Sequence, residues 1–86
     1  MEVEVLFFGP LRELTGHRQE RVALHPHPTL ADLLDLLGRR YGGTFEEKVK
    51  GMRILVNGRE HTFTGGLATP LNKGDTVVFL PPLFGG

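Results

Sequence analysis

The residues best suited to chemistry in this 86-residue chain are the last two, Gly85 and Gly86, which carry a terminal carboxylate on a backbone without Cβ atoms. Such a carboxylate has a pKa of about 3.5, so at neutral pH it is an anion and a poor electrophile. Transfer of an adenylyl group from ATP would convert it to a mixed anhydride, from which a sulfur nucleophile could displace AMP. The pattern predicts that Gly86 becomes an adenylate and then a thiocarboxylate.

The approach to this terminus is uncharged, since the eleven residues after Asp75 contain no ionisable side chain. Prolines favour an extended path here, and six extended residues reach at most about 20 Å. We expect this segment to place the terminus inside a cleft of a partner protein. The tail predicted to bind the partner consists of Pro81, Pro82, Leu83, Phe84, Gly85 and Gly86.

The activation chemistry must be supplied by other proteins. The sequence has neither a GxxxxGK[ST] loop nor a GxGxxG motif, so the ATP site is expected on an activating partner. It has no cysteine, so the sulfur must come from a separate donor. We therefore expect no catalytic residue and no cofactor bound by this chain.

Other groups of polar residues are better explained as surface. His25 and His27 alternate with prolines in an extended linker, which disfavours the converging geometry of a metal site. Asp32 with Asp35, and Glu46 with Glu47, are charged pairs at solvated positions and are not expected to act as acid and base.

Composition excludes several classes of function. Ten Lys and Arg residues balance ten Asp and Glu residues, and no basic cluster extends beyond Arg39 and Arg40, which argues against nucleic-acid binding. No apolar run approaches the roughly 20 residues that span a bilayer. The first residues lack the basic start of a secretory signal, so a cytoplasmic location is expected.

One long helix is the clearest predicted element. Thr29 and Asp32 resemble a capping box at its start, and Gly42 and Gly43 are suited to its end. Its apolar stripe has the spacing i, i+3, i+4, i+7 and i+11. This stripe consists of Leu30, Leu33, Leu34, Leu37 and Tyr41.

The remaining apolar segments read as strands, with a short helical segment from Pro10 to Leu14. Asn57 and Gly58 are typical of a hairpin turn between two of the strands. The predicted strands are residues 2–8, 20–24, 52–56, 59–63 and 76–80. This order predicts an α+β fold of the ubiquitin-like β-grasp type, with one main helix packed on a four- or five-stranded mixed sheet. Residues 1–80 would form the domain and residues 81–86 the tail.

The alternation of the first strand leaves a second apolar set. If Val3, Val5 and Phe7 face the helix, Leu6 and Phe8 lie on the opposite face of the sheet. There they would form a patch for docking a partner or a core covered by a loop, and the sequence leaves both alternatives open.

The chain resembles the MoaD family, the sulfur carriers of molybdenum-cofactor biosynthesis. The resemblance is carried by LFFGPLRELTG, TLADLLDLL, LVNGRE and LNKGDTVVFLPPLFGG, and its most specific parts are the two ends. It implies that a MoeB-like enzyme adenylates Gly86 and that the thiocarboxylate enters a MoaE-like large subunit. Carrier and large subunit would form the heterotetramer of molybdopterin synthase, which transfers sulfur to a cyclic pterin precursor.

Three alternatives remain for function, one of which is a plain interaction domain with an inert tail, and three remain for Phe84. A ThiS-like carrier for thiamine biosynthesis is the nearest rival, although such chains are typically shorter and lack Pro81-Pro82. A ubiquitin-like modifier joined to lysines through Gly86 is another.

Phe84 is bulkier than is common before the glycine pair of such carriers. It would occupy a widened partner channel, anchor at the mouth of that channel, or fold back on its own domain.

Overall fold

A computed structural model describes residues 1–81, and residues 82–86 lie outside the described part of the chain. The strands of the described part are β1 (Glu2–Phe7), β2 (Gln19–Ala23), β3 (Arg53–Val56), β4 (Arg59–Glu60) and β5 (Thr76–Leu80). Its α-helices are α1 (Pro10–Thr15), α2 (Leu30–Tyr41) and α3 (Gly43–Val49). Two short 3₁₀ turns, His61–Phe63 and Gly66–Ala68, lie between β4 and β5.

The five strands form one mixed sheet in the order β2-β1-β5-β3-β4. β1 and β5 are parallel neighbours, whereas β1 with β2, β5 with β3 and β3 with β4 are antiparallel pairs. The predicted mixed sheet is confirmed, with five strands. β5 is both the central strand of the sheet and the last strand in chain order, so residue 81 follows the middle of the sheet.

The long helix α2 is built as its sequence predicts. Thr29 accepts a hydrogen bond from the Asp32 backbone N–H at 3.4 Å, and Asp32 Oδ2 accepts one from the Thr29 backbone N–H at 2.8 Å. This reciprocal capping box satisfies amides that the first helical turn leaves free. Leu30, Leu33 and Leu37 are fully buried, so the apolar stripe is confirmed as the face that packs on the sheet.

The core lies between the helices and one face of the sheet. Phe7 of β1 and Phe79 of β5 stack with ring centroids 6.1 Å apart, and Phe45 of α3 meets Phe79 edge-on at 6.0 Å. These three rings are almost inaccessible to solvent. They join the two central strands to α3, so the strand that carries the tail is anchored on the helix side.

Two elements differ from the sequence-based expectation. Gly42 and Gly43 end α2 but lead directly into α3. The sequence did not predict α3, because one buried aromatic residue, Phe45, gives no helical periodicity. The strand expected over residues 59–63 stops at Glu60 because His61–Phe63 turns into a 3₁₀ helix, with the Thr64 N–H bonded to His61 O.

Across residues 1–81, none of the helices has the length and apolar character that crossing a bilayer requires.

Candidate functional site

The root of the tail lies at the centre of one end of the sheet. β5 ends at Leu80, between β1 and β3, and the exposed Pro81 follows it. The predicted tail residues beyond this point fall outside the described part of the chain, so their roles stay predictions. These residues are Pro82, Leu83, Phe84, Gly85 and Gly86.

A tight turn at the end of β1 borders this root. Gly9 has φ 57° and ψ −132°, and the Leu11 N–H donates to Phe8 O at 3.3 Å. These angles match the first central position of a type II′ turn, which glycine occupies without strain. A Cβ on Gly9 would stand 3.1 Å from Cγ of Pro81. The turn and the tail root are therefore in close contact.

Within residues 1–81, no helix packs on one face of the sheet, which we call the free face. Val3, Val5 and Phe7 are buried on the helix side, so the alternating residue Leu6 lies on the free face. Leu6 pairs with Val78, and Val78 pairs with Leu55, which places three apolar side chains in one row across β1, β5 and β3. All three are half-buried, as expected of a sheet surface on which no helix of the described residues packs.

The apolar part of the free face lies toward the end where the tail begins. Leu80, the last residue of β5, and Phe8, which follows Phe7, extend the row in that direction, and both are half-buried. Toward the opposite end Glu4 pairs with Arg21 across β1 and β2, and their side chains are 3.5 Å apart. A partner that receives the tail would therefore meet the apolar end of the face first.

Two guanidinium groups border this apolar end, and the sequence alone did not single them out. Arg12 lies 4.8 Å from the centroid of the Phe8 ring, and its Nε donates to Phe7 O at 2.9 Å. Arg53, paired with Leu80 in the sheet, donates from Nε to Glu60 Oε1 at 3.2 Å. In the sequence, Arg53 is marked only by its alternation with the apolar Ile54. This pattern places Arg53 beside Leu80 only once the register of β3 with β5 is known.

Glu60 is the acidic member of this border. Its side chain shares the free face with Leu55, its partner in the β3–β4 pair. Hydrogen bonds from Arg53, and then from the Thr62 hydroxyl at 3.0 Å, hold the pKa of Glu60 below its usual range. The carboxylate is thus ionised at neutral pH, and both of its oxygens are engaged within the chain.

The residues considered for metal or acid–base chemistry do not converge on a site. His25 Nε2 lies 3.5 Å from Asp32 Oδ2, and Asp32 serves as the helix cap. Asp35 forms an exposed ion pair with Arg39 one turn further along α2. In the described part of the chain, no group of three His, Asp or Glu side chains is arranged to hold a metal ion.

Known proteins with related sequences are sulfur carriers and modifiers. The chain is 33% identical over 92 residues to a small archaeal modifier protein 3 of Haloferax volcanii, with both chains covered in full. It is 31% identical over 86 residues to a molybdopterin synthase sulfur carrier subunit of Drosophila yakuba, covering all of this chain and 92% of the relative.

Solved structures give the same picture. The crystal structure of SAMP1 from Haloferax volcanii matches with a TM-score of 0.81 and 26% identity, and both chains are covered in full. A complex of subunits 1 and 2 of the molybdopterin-converting factor from Helicobacter pylori contains a chain that matches with a TM-score of 0.71 and 29% identity, again over the full length of both. These neighbours confirm the predicted ubiquitin-like β-grasp fold.

The model of the ThiS family matches residues 5–86, nearly the whole chain. The match includes the last three residues of β1, the central strand β5 and the tail segment. The chain therefore belongs to the ThiS family of ubiquitin-like sulfur carriers.

Proposed function

We propose that this chain carries sulfur for molybdopterin synthesis as a thiocarboxylate at Gly86. The observation that carries the proposal is the position of β5, whose central place in the sheet directs the chain out beside the apolar end of the free face. Relatives named as molybdopterin synthase sulfur carrier subunits support this assignment. Family membership supports the terminal chemistry in general, and these relatives favour this pathway.

The proposed cycle loads Gly86 with sulfur in two steps. A carboxylate oxygen attacks the α-phosphate of ATP, so that a P–O bond forms and pyrophosphate leaves. Sulfide delivered by a donor then attacks the acyl carbon, so that a C–S bond forms and AMP leaves with the electrons of the broken C–O bond. The thiocarboxylate sulfur then attacks a carbon of the pterin precursor and displaces an oxygen substituent, which gives a thioester. Water attacks the acyl carbon of this thioester, the C–S bond to the carrier breaks, the carboxylate is restored and the sulfur stays on the pterin. An activating enzyme binds the ATP, and the large subunit holds the pterin.

The chain itself contributes presentation of the terminus and docking. We propose that Leu6 and Phe8, together with Leu55, Val78 and Leu80, form the surface on which partners dock. A half-buried apolar patch next to a tail root suits a partner that covers the patch while it receives the tail. The Helicobacter pylori complex of subunits 1 and 2 supports a large subunit as one such partner. A cytoplasmic location is part of the same proposal.

The deciding experiment is an intact-mass measurement. The chain is incubated with the activating enzyme from its own genome, ATP and a sulfide source, and the product is analysed for replacement of one oxygen by sulfur. A sample without ATP serves as the control. An unchanged mass in the complete reaction would refute the carrier function. Co-purification of a thiazole synthase in place of a pterin-handling subunit would instead assign the chain to thiamine biosynthesis.

Protein modification is a second candidate, favoured by the 33% identity to a small archaeal modifier protein over the full length of both chains. In that reaction a lysine Nε attacks the activated carbonyl of Gly86, an isopeptide bond forms and AMP leaves. Proteolysis of total protein from the source cells would then yield peptides whose lysines carry the C-terminal residues of this chain. Absence of such peptides, with the thiocarboxylate present, would exclude this second function.

A further inference from the structure

The loop between β4 and β5 exposes two large apolar side chains. Phe63 is 85% exposed and Leu67 is 51% exposed, the two large hydrophobic residues that stand out in this way among residues 1–81. The surrounding stretch from His61 to Asn72 contains no Asp, Glu, Lys or Arg in a chain that is 23% charged. Depletion of charge around an exposed aromatic residue is characteristic of the centre of a protein interface.

Hydrogen bonds hold this loop in place. The Thr69 hydroxyl donates to Gly66 O at 2.6 Å and lies 3.0 Å from the Thr64 hydroxyl, which ties the two 3₁₀ turns together. The Leu30 N–H donates to Thr69 O at 2.9 Å, which fixes the loop to the start of α2. The loop therefore presents Phe63 from a rigid support, so binding at this position costs little conformational entropy.

The loop begins at the border of the free face. Glu60 shares that face with Leu55, and the Thr62 hydroxyl donates to Glu60 Oε2 at 3.0 Å. Phe63 is the next residue along the chain. One partner surface could therefore cover the free face and also reach Phe63.

The exposed area of the loop argues against a second copy of this chain bound through the loop alone. A phenylalanine side chain buries about 150–250 Å², so Phe63 together with the half-exposed Leu67 provides roughly 300 Å² per chain. A symmetric contact through the loop alone would bury about 600 Å² in total, well below the roughly 1,200 Å² of a stable interface. The loop therefore suits a partner that covers additional surface.

We propose that Phe63 is an anchor for the ATP-dependent activating enzyme, which receives its ring in an uncharged apolar pocket while covering the free face. The inference rests on the proposed activation of Gly86. Activation precedes both sulfur transfer and conjugation, so a contact with the activating enzyme would serve either function of the chain. Phe63 contributes to binding and does not touch the reacting atoms.

The test is steady-state kinetics of thiocarboxylate formation with varied carrier concentration. Phe63→Ala should raise the KM for the carrier by about tenfold or more and leave kcat within about twofold, since a lost anchor weakens binding and not chemistry. Phe63→Leu should restore part of the loss. Thr44→Ala, an exposed change on α3, should leave both constants unchanged. Thermal midpoints of all variants should match, because these side chains are exposed.

An unchanged KM for Phe63→Ala with an active wild-type chain would overturn this inference and leave the proposed function standing. Failure of the wild-type chain to be activated would overturn both. Dimerisation of the wild-type chain that Phe63→Ala abolishes, measured by sedimentation equilibrium, would make a second copy the occupant instead. A shift of the Leu67 methyl resonances on deletion of residues 82–86 would make the chain's own tail the occupant, and either result would refute the proposal.

Discussion

Gly9 and Pro81 are in contact, and a side chain at residue 9 would crowd the Pro81 ring. A Cβ at Gly9 would approach Pro81 Cγ to 3.1 Å, and the φ of 57° at Gly9 is one that L-residues rarely adopt. The two residues belong to the turn that follows β1 and to the segment that follows β5, the two parallel strands at the centre of the sheet. The path of the chain as it leaves the domain is thus restricted by a turn about seventy residues earlier.

Replacing Gly9 by alanine tests this contact. We expect Gly9→Ala to lower the free energy of unfolding by about 2 kcal/mol, because the backbone strain of a side chain at this φ and ψ adds to the crowding of Pro81. Gly16→Ala is the matched control, since Gly16 caps the other end of α1 with φ 77° and has open space around its Cβ position. Gly16→Ala should cost about 1 kcal/mol. Urea denaturation gives both values.

Backbone strain and crowding can be separated with a second substitution. Pro81→Ala removes the ring that a Cβ at residue 9 would meet, so Gly9→Ala should cost less in that background. Equal costs of Gly9→Ala with and without the proline ring would show that the contact is unimportant and that only backbone strain acts.

Phe7 and Phe8 are neighbours in sequence on opposite faces of the sheet, and their alanine variants should behave differently. Phe7→Ala should destabilise the domain by about 3–5 kcal/mol, because it removes a fully buried ring stacked on Phe79. Phe8→Ala should cost about 1 kcal/mol, since this ring is only half-buried and lies against the Arg12 guanidinium. Chemical denaturation measures both.

Phe8→Ala and Leu6→Ala probe the docking role of the free face. Phe8→Ala should weaken binding to the large subunit by about tenfold, measured by titration calorimetry at a temperature where the variant is fully folded. Leu6→Ala should act in the same direction. Retention of wild-type affinity by both free-face variants would assign docking to another surface.

Deletion of Gly86 should separate function from folding. The thermal midpoint should stay within about 1 °C of the wild-type value, because chain termini outside the core contribute little to stability. Thiocarboxylate formation should be lost, because the shortened chain places its carboxylate one residue short of the activating site. A large drop in the midpoint would mean that the tail is part of the folded domain.

The capping box of α2 predicts a pH dependence of stability. The Thr29 backbone N–H bonds to the Asp32 carboxylate, and this bond lowers the pKa of Asp32 in the folded chain. Because the folded pKa lies below the unfolded one, the stabilisation is complete above the ordinary Asp pKa of about 3.9 and is lost as pH falls through the lowered value. The wild-type chain should therefore exceed Asp32→Asn in stability at pH 7, with the difference shrinking in acid.

Asp35→Asn supplies the control for this experiment. Asp35 lies one turn along the same helix and makes an exposed ion pair with Arg39, a type of pair that contributes little to stability. Its variant should follow the wild-type stability curve from neutral pH into acid, measured by urea denaturation. A difference for Asp32→Asn that stays constant with pH would show that the charge of the cap plays no part.

Local patterns in the sequence determined most of the elements of this protein. The stripe from Leu30 to Tyr41 and the capping residue Thr29 specify α2, because helical periodicity and capping depend on residues within a few positions of one another. The alternation of Val3, Val5 and Phe7 specified which face of β1 is buried. The Gly-Gly terminus and the uncharged segment before it indicated the terminal chemistry on their own.

The tertiary structure alone decided which distant residues meet. The row of Leu6, Val78 and Leu55 depends on strand register, which follows from pairing between segments far apart in the chain. The contact of Gly9 with Pro81 depends on β1 and β5 being parallel neighbours, and nothing near either residue specifies that pairing. The sequence thus predicts which terminus reacts, and long-range pairing decides the surface beside which β5 ends.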